Sequence, residues 1–361
     1  MTNPSTDPAV ENEQRVQTQR ALGAMLVPLF FVAAFATCII GAYHKPHPNG
    51  IEVGVVGPSS QTAPLRARLA AVAGSAFDIS PIATVARATH DVRDRDLNAA
   101  FVPTANPKQA ATVIVAGANG RIVAVASETL ARAVTTAQGA QLAVREVRPL
   151  APGDPLGLGV FMFMIVCTIC GYIAPTILET AAPALLPGRR YLVLAATAVL
   201  VATIAYLIGG LAFGTYTGSV GTILAFIGVG ALYGFIVGIG TRLLQVLLGL
   251  PAIFASLAIF VFLNIASLGA TYTAPVLAPF WRFLSHFWIG AAAVDAERSL
   301  LYFGGAGVGA DVLRLLAWAA VIVALLVLPA SRKLERERER ADEREAADDA
   351  RPVATPAGAA V

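Results

Sequence analysis

The chain has 361 residues, of which 56% are hydrophobic and only 14% are charged, with a formal net charge of +3 and a mean hydropathy of +0.68. Soluble domains carry roughly 25% charged residues, so this composition excludes an ordinary soluble enzyme. The small positive charge is dispersed along the chain, which excludes a nucleic-acid-binding surface and a nucleic-acid partner.

Charged residues are concentrated in some segments and nearly missing from others. Residues 44–155 contain 19 Asp, Glu, Lys and Arg and residues 331–361 contain 15, whereas residues 156–330 contain only 10. Polar side chains are too few to cover such long uncharged stretches in a water-soluble fold. We therefore predict an α-helical polytopic membrane protein with a soluble domain at 44–155 and a helical block at 156–330.

Six apolar stretches are long enough to cross a hydrocarbon layer of about 30 Å as helices. The first exceeds the usual apolar length of a secretory signal and follows a segment, 1–20, of mixed charge, so we interpret it as a retained anchor. The predicted spans are residues 21–43, 156–179, 191–213, 219–240, 246–270 and 309–330.

The cations of the short connections all fall on one side of the six predicted spans. The positive-inside rule puts that side in the cytoplasm, since long translocated domains such as 44–155 largely escape the rule. Both termini then lie on the cytoplasmic side of a bacterial plasma membrane, and 44–155 lies on its outer side. The cations concerned are Arg15, Arg20, Arg189, Arg190, Arg242, Arg332 and Lys333.

The segment 44–155 alternates between the two-residue period of strands and the longer period of helices. This alternation predicts a small α/β domain with a mixed sheet covered by helices. Asn119-Gly120 readily supplies positive φ, so 112–115 and 121–126 are predicted to form a hairpin around it. Further strands are predicted at 51–57, 77–79, 99–102 and 143–147, and helices at 63–73, 85–94 and 128–141.

The tail at 331–361 interleaves seven basic and eight acidic residues without an apolar stripe. A segment of this kind has no core to join. It is predicted to be a solvated helix or a disordered segment in the cytoplasm.

Ionisable residues within membrane spans mark the relays of proton-driven and ion-driven carriers. The predicted spans one, three, four and five contain none, Glu179 lies at the inner end of span two, and Asp311 and Arg314 lie at the outer end of span six. The chain also lacks a GxxxxGK[ST] phosphate loop. No proton relay is therefore predicted, and we expect a chain that is not an enzyme and has no catalytic, cofactor or metal site of its own. If it is a transport subunit driven by ATP, a partner subunit hydrolyses the ATP.

An outer amphipathic segment is predicted between spans five and six, near 275–305. An aromatic belt in the lipid headgroups explains its aromatic face, with a role in substrate exit as the alternative. Asp295, Glu297 and Arg298 predict a mutually neutralising cluster at the membrane edge, with a substrate site as the alternative. The apolar residues that recur at helical spacing are Phe280, Trp281, Leu284, Phe287 and Trp288.

Two residues inside the predicted spans differ from their apolar neighbours: one has a hydrogen-bonding side chain and the other is a proline that can kink a helix. Asn264 is the carboxamide of span five and is expected to bond either a neighbouring helix or a substrate. Pro175 in span two is a candidate hinge, because proline frees a helix carbonyl.

This layout resembles the membrane subunits of ABC-2-type exporters, in particular the subgroup of YhgE/Pip-like permeases. The resemblance rests on one anchor span, an outer domain that opens with IEVGVVGPSS, a five-span block, and the segment APVLAPFWRFLSHFWIGAAAVDAERSLLYFGG. It implies a homodimer, or a pair of half-transporters, that exports a hydrophobic or amphipathic substrate and couples to a cytosolic ATP-binding subunit. It also implies a coupling loop at 179–190, with Glu179, Arg189 and Arg190, although this loop is short and rich in proline.

A second function stays open from the sequence. The outer domain of about a hundred residues is larger than simple gating needs, so the chain is alternatively a membrane-anchored recognition or envelope-assembly protein. Its outer domain would then bind a partner while the spans, surrounded by membrane lipid, serve as a scaffold.

Overall fold

A long helix, a small α/β domain and a bundle of apolar helices follow one another along the chain. The computed structural model describes residues 8–349 apart from 105, 107 and 250. The first helix, α1, spans Pro8–Tyr43 and lies at the edge of the bundle. The rings of Phe31 and Phe35 contact the ring of Phe262, and the Tyr43 hydroxyl donates a hydrogen bond of 2.7 Å to the Ile265 carbonyl.

The α/β domain is built on a five-stranded mixed sheet in the order β2-β1-β3-β4-β5. Strand β1 is parallel to both β2 and β3, β3 is antiparallel to β4, and β4 is parallel to β5. Helices cover both faces of this sheet, as predicted. The strands are β1 (Ile51–Val56), β2 (Phe77–Ile82), β3 (Ala99–Val102), β4 (Ala111–Val115) and β5 (Leu142–Glu146), and the helices are α2 (Ser59–Ala73), α3 (Val85–Arg93) and α4 (Arg121–Ala137).

The two faces of the sheet have separate cores because side chains of a strand alternate in direction. Phe101 and Val113 face Leu69 of α2 and Leu130 of α4 on one side. On the other side Ile114 and its neighbours face Ala88 and Val92 of α3. Burial on both faces explains why the three inner strands β1, β3 and β4 are mostly apolar, whereas the edge strands β2 and β5 are more exposed and carry polar residues.

The predicted hairpin around Asn119-Gly120 is wrong. A single helical turn at Gly117–Asn119 is followed by Gly120 with φ of 138°, and residues 121–126 are the first part of α4. The buried residues of α4 recur every three or four positions, which is the period of a helix rather than of a strand. They are Val123, Ala124, Ser127, Leu130, Ala131, Val134 and Thr135.

Five helices in the described part of the chain are long and apolar enough to cross a membrane. The chain is thus a mostly helical, multi-pass membrane protein. Besides α1, the spanning helices are α5 (Gly159–Ala181), α6 (Pro187–Tyr206, extended by a π-helical turn at Leu207–Ala212), α7 (Val220–Leu248) and the first part of α12 (Val308–Asp349).

The apolar stretch predicted as one span at 246–270 belongs to two helices. Helix α7 continues to Leu248, and Gly249 with φ of 66° and Pro251 then separate it from a shorter apolar helix, Ala252–Ser267. Glycine at positive φ and proline both end helices, and an apolar count does not detect them. The shorter helix consists of α8 (Ala252–Ser256), a π-helical turn (Leu257–Leu263) and α9 (Asn264–Ser267).

Helix α7 is the central helix of the bundle: 61% of its most apolar window is buried, against 39% for α5 and 22% for α6. Small residues let α5 approach it closely. A Cβ atom on Gly171 of α5 would lie 2.6 Å from the carbonyl oxygen of Gly234 of α7. Pro175 is buried inside α5, which continues past it to Ala181.

The two ends of the bundle differ in what covers them. We call the end next to the α/β domain, where α1 ends and α5 and α12 begin, the domain end. The opposite end, where α5 and α7 end and α6 begins, is the far end.

Helix α12 continues beyond the bundle to Asp349, which agrees with the helical alternative for the tail, while 1–7 and 350–361 lie outside the described residues.

We expect Gly171→Ala to lower the free energy of unfolding by about 1–3 kcal/mol, because the added methyl group must separate α5 from the α7 backbone. Gly228→Ala in α7 is the matched control, since its Cβ would meet no atom within 4 Å. Denaturant titration in mixed micelles measures both. Equal stabilities of the two variants would contradict the close α5–α7 contact.

Candidate functional site

The chain returns to the domain end in two short helices, α10 (Pro279–Ser285) and α11 (Ile289–Tyr302). Their aromatic residues do not form one membrane-facing stripe. Trp281 and Leu284 are buried against Ala42 of α1 and Ala266 of α9, whereas Phe280, Phe283 and Phe287 are exposed. The predicted aromatic face is therefore divided between a packing contact and an exposed side.

The rest of this segment packs into the bundle. The Trp288 ring lies 5.6 Å from the ring of Trp318 in α12, whose Nε1 donates a hydrogen bond of 2.9 Å to the Phe287 carbonyl. Arg282 donates bonds of 2.9 Å to the carbonyls of His47, Ala274 and Leu277. Arg282 thus holds the segment to the chain that follows α1.

Helix α11 is buried, although it is not one of the five long apolar helices. It packs against α5, α7 and α12. Its buried residues run from Ile289 to Val294 and from Ala296 to Ser299. The segment predicted at the outer interface therefore contributes a helix to the interior of the molecule.

Arg95 of the α/β domain joins the domain to α11. Its guanidinium donates to Asn119 Oδ1 (3.1 Å), to Ser299 Oγ (2.9 Å) and to Asp295 Oδ1 (3.1 Å). It also lies 5.3 Å above the Phe303 ring, a cation–π distance. Charge and stacking together fix the domain on the bundle.

Arg298 shares Asp295 with Arg95, at 3.4 Å. It also donates to the carbonyls of Gly269 (3.2 Å) and Ala270 (2.5 Å), which follow α9. Burial lowers the pKa of Arg298 to about 10, the charge of Asp295 opposes this shift, and the guanidinium stays charged at neutral pH. Asp295 and Arg298 therefore form an ion pair, in agreement with the predicted cluster.

A cavity of about 280 Å³ opens beside this junction, between the domain and the bundle. Three arginines, Arg95, Arg298 and Arg314, contribute to its wall, whereas Asp295 is the acidic residue that lines it. Asp311 lies 3.6 Å from Arg314 and offsets part of that charge. Excess guanidinium groups in a polar cavity favour a ligand with a carboxylate or phosphate group.

Glu297 does not belong to the predicted cluster. Its side chain is completely buried, and neither carboxyl oxygen has a hydrogen-bond partner among the described residues. Burial raises the pKa of Glu297 well above its ordinary value. The helix period explains this difference from the prediction: Glu297 lies about 100° around α11 from Arg298, so the two side chains leave the helix on different faces.

Asn264 bonds a neighbouring helix, the first of its two predicted roles. Its Nδ2 donates to the Tyr233 hydroxyl of α7 at 2.5 Å, and that hydroxyl lies 2.5 Å from Thr168 Oγ1 of α5. The Asn264 Oδ1 atom is buried without a partner among the described residues. This polar chain links α5, α7 and α9 inside the bundle.

The three predicted coupling residues have different surroundings at the far end: Glu179 and Arg190 form an ion pair, whereas Arg189 is exposed. Glu179 accepts from Arg190 and, at 2.6 Å, from Arg242, so three helices meet in one ion cluster. Arg189 is exposed, and the connection 182–186 contains a turn but no helix. Arg190 is buried and so unavailable to a partner in this arrangement.

Sequence reasoning missed Arg95 as a functional residue. Arg95 stands in a run of charged residues, DVRDRD, and no local pattern separates it from its exposed neighbours. Its φ of 71°, unusual for a residue other than glycine, became visible only in the fold. Arg242 carried a signal, since the side assignment of the cations already grouped it with Arg190.

No family model, no curated protein and no solved structure matches the chain.

We expect Arg95→Ala to weaken the free energy of docking of the domain on α11 by about 1–3 kcal/mol. The reason is that hydrogen bonds to Asp295, Ser299 and Asn119 are lost together. Hydrogen exchange should become faster around 117–120 and 295–299. Arg93→Ala is the control, since Arg93 is exposed and makes no ion pair among the described residues. The same exchange pattern in both variants would refute the junction.

Proposed function

We propose that this chain is the membrane permease subunit of an ABC-2-type exporter that moves an amphipathic substrate, with ATP hydrolysed by a separate subunit. The arginine-lined cavity between an apolar helix bundle and its docked domain is the observation that carries this proposal. A cavity there offers charged groups to a substrate head while the adjoining helices offer apolar surface to its tail.

The excess of guanidinium groups narrows the substrate class. Arg95, Arg298 and Arg314 line the cavity with Asp295 as their acidic neighbour. Guanidinium groups bind carboxylates and phosphates through paired hydrogen bonds. We therefore propose a substrate with an anionic head and an apolar tail.

In this proposal the chain crosses a bacterial plasma membrane six times, with both termini in the cytoplasm. The shorter helix Ala252–Ser267 supports the sixth crossing, because it starts beside the far end of α7 and leads to the carbonyls that Arg298 binds. Arg190 and Arg242 at the far end support a cytoplasmic assignment of that end by the positive-inside rule.

The contact with the ATP-binding subunit is proposed at Arg189 and the connection 182–186. Glu179, Arg190 and Arg242 tie the ends of α5, α6 and α7 together, so a push on this connection would move all three helices. We propose that two copies, or two half-transporters, act as a pair. Apolar grooves between α5 and α6 remain for lipid or the second copy, lined by residues such as Met162, Val166 and Ile204.

The docked domain favours transport over recognition alone. A domain that only captures a partner needs no fixed contact with the membrane helices, whereas Arg95 here contacts α11 and lines the cavity. Movement of the domain would therefore change the shape of the cavity.

A photoreactive amino acid at position 189 is expected to capture a nucleotide-binding protein from native membranes. The same group at Thr217, an exposed position at the domain end, is the control. Mass spectrometry of the crosslinked band identifies the partner. ATP coupling is abandoned if position 189 captures no protein with a phosphate loop, or no more of it than position 217.

The purified protein is expected to bind dodecyl phosphate more tightly than dodecyltrimethylammonium, because the cavity has excess positive charge. Arg314→Gln should weaken binding of dodecyl phosphate about tenfold, the loss of one charge-assisted hydrogen bond. Arg189→Gln at the far end should leave it unchanged. Calorimetry in detergent measures both affinities, and equal binding of the two amphiphiles would contradict an anionic substrate.

A further inference from the structure

Helix α11 has two faces with opposite character. Asp295 and Arg298 point towards the arginine-lined cavity. Gly290, Val294 and Glu297, spaced by four and three residues, are buried on the face that meets the bundle. The polar cavity and the buried carboxyl group thus lie on adjacent faces of one helix.

No described residue forms a hydrogen bond or an ion pair with the Glu297 carboxyl group. A Cβ atom on Gly230 of α7 would lie 3.5 Å from Glu297 Oε1 and 2.4 Å from the Phe163 ring of α5. The carboxyl group therefore lies against the bare backbone of α7 and an aromatic ring. A carboxylate in such a place is strongly disfavoured unless it is neutralised.

A proton is the ligand that fits this site. Metal ions such as Ca²⁺ require several oxygen ligands, and no cluster of three or more His, Cys, Asp or Glu residues in the described part of the chain could hold a metal ion. A proton needs only the carboxyl group itself. It also removes the charge that the apolar surroundings reject.

We propose that Glu297 is a proton-binding site, protonated while α11 packs against α7 and deprotonated when α11 turns the carboxyl towards the arginine-lined cavity. Each residue of a helix advances by about 100°, so a turn of roughly that size would bring Glu297 to the direction that Arg298 now has. The cavity supplies the water and cations that stabilise the carboxylate.

The other charged and titratable groups around α11 leave this assignment intact. On α11 itself Asp295 is paired with Arg95 and Arg298, and on α12 Asp311 lies beside Arg314. His286 of α10 lines the cavity. Cys167 of α5 and Tyr216, which precedes α7, are titratable groups in the core that lie within electrostatic range of the carboxyl group. The Tyr233 hydroxyl is hydrogen-bonded to Thr168 and Asn264.

This site extends the proposed function and does not depend on the ATP-binding partner. If it operates, the cycle includes uptake and release of one proton per chain. That would be so whether ATP or a proton gradient supplies the energy.

Infrared spectroscopy of the full-length protein in lipid nanodiscs tests the proton directly. We expect a protonated carboxyl band at neutral pH that shifts in D₂O and disappears in Glu297→Gln. Glu179→Gln should keep this band, because Glu179 lies at the far end, paired with Arg190 and Arg242 and away from α11. A band that survives in Glu297→Gln, or is missing from the unmodified protein, overturns the proposal.

The pH dependence of thermal unfolding provides a second readout. The folded protein keeps a proton that the unfolded chain releases above the ordinary pKa of glutamic acid. The stabilisation that depends on protonated Glu297 is therefore fully present at low pH and is lost as pH rises. Over that range the Tm of Glu297→Gln should fall less than the Tm of the unmodified protein. Parallel Tm profiles would count against the site.

Gly290→Ala separates a working site from a carboxyl that never opens. Its Cβ would lie 2.3 Å from Asn264 Oδ1, so α11 must move. Faster deuterium exchange of the Glu297 band, and its loss at lower pH than in the unmodified protein, would support opening through α11. Val294→Ala, which loosens the same face without a clash, should shift the band in the same direction. An unchanged band in both variants overturns the opening step.

Discussion

Desolvation of charge is the constraint that organises this molecule. Charged groups are costly alone among apolar helices, and most charged residues of the bundle form ion pairs in clusters at one of its ends. Glu179 with its two arginines ties three helices at the far end, and Asp295 joins Arg95 and Arg298 at the domain end. Each cluster spans several elements. The ion pairs that compensate these charges for their lost hydration therefore also hold the helices and the domain in place.

Helix α11 brings these consequences together. It supplies Asp295 and Ser299 to the domain contact, Arg298 to the cavity, and Glu297 to the core. A rotation of one short helix would alter the docking of the domain, the charge of the cavity and the burial of the carboxyl at once. A helix coupled in this way suits the proposed link between substrate binding and proton binding.

Sequence reasoning succeeded where one-dimensional patterns carry the physics. Long uncharged stretches predicted α5, α6 and the start of α7 closely, and the alternation of periods predicted an α/β domain. It failed at 112–126 and at 246–270, where one glycine or proline decides the path of the backbone. Gly120 begins a helix instead of closing a hairpin, and Gly249 with Pro251 divides an apolar stretch into two helices.

Composition and periodicity alone determined that this chain is a membrane protein with a polar domain near its beginning, since those properties sum over many residues. Only the tertiary structure decided which charges meet. Asp295, Glu297 and Arg298 are neighbours in sequence, yet one helix turns Glu297 into the core and the other two towards Arg95. The partner of a charge depends on the direction of its side chain and on distant elements, and neither is written in the local sequence.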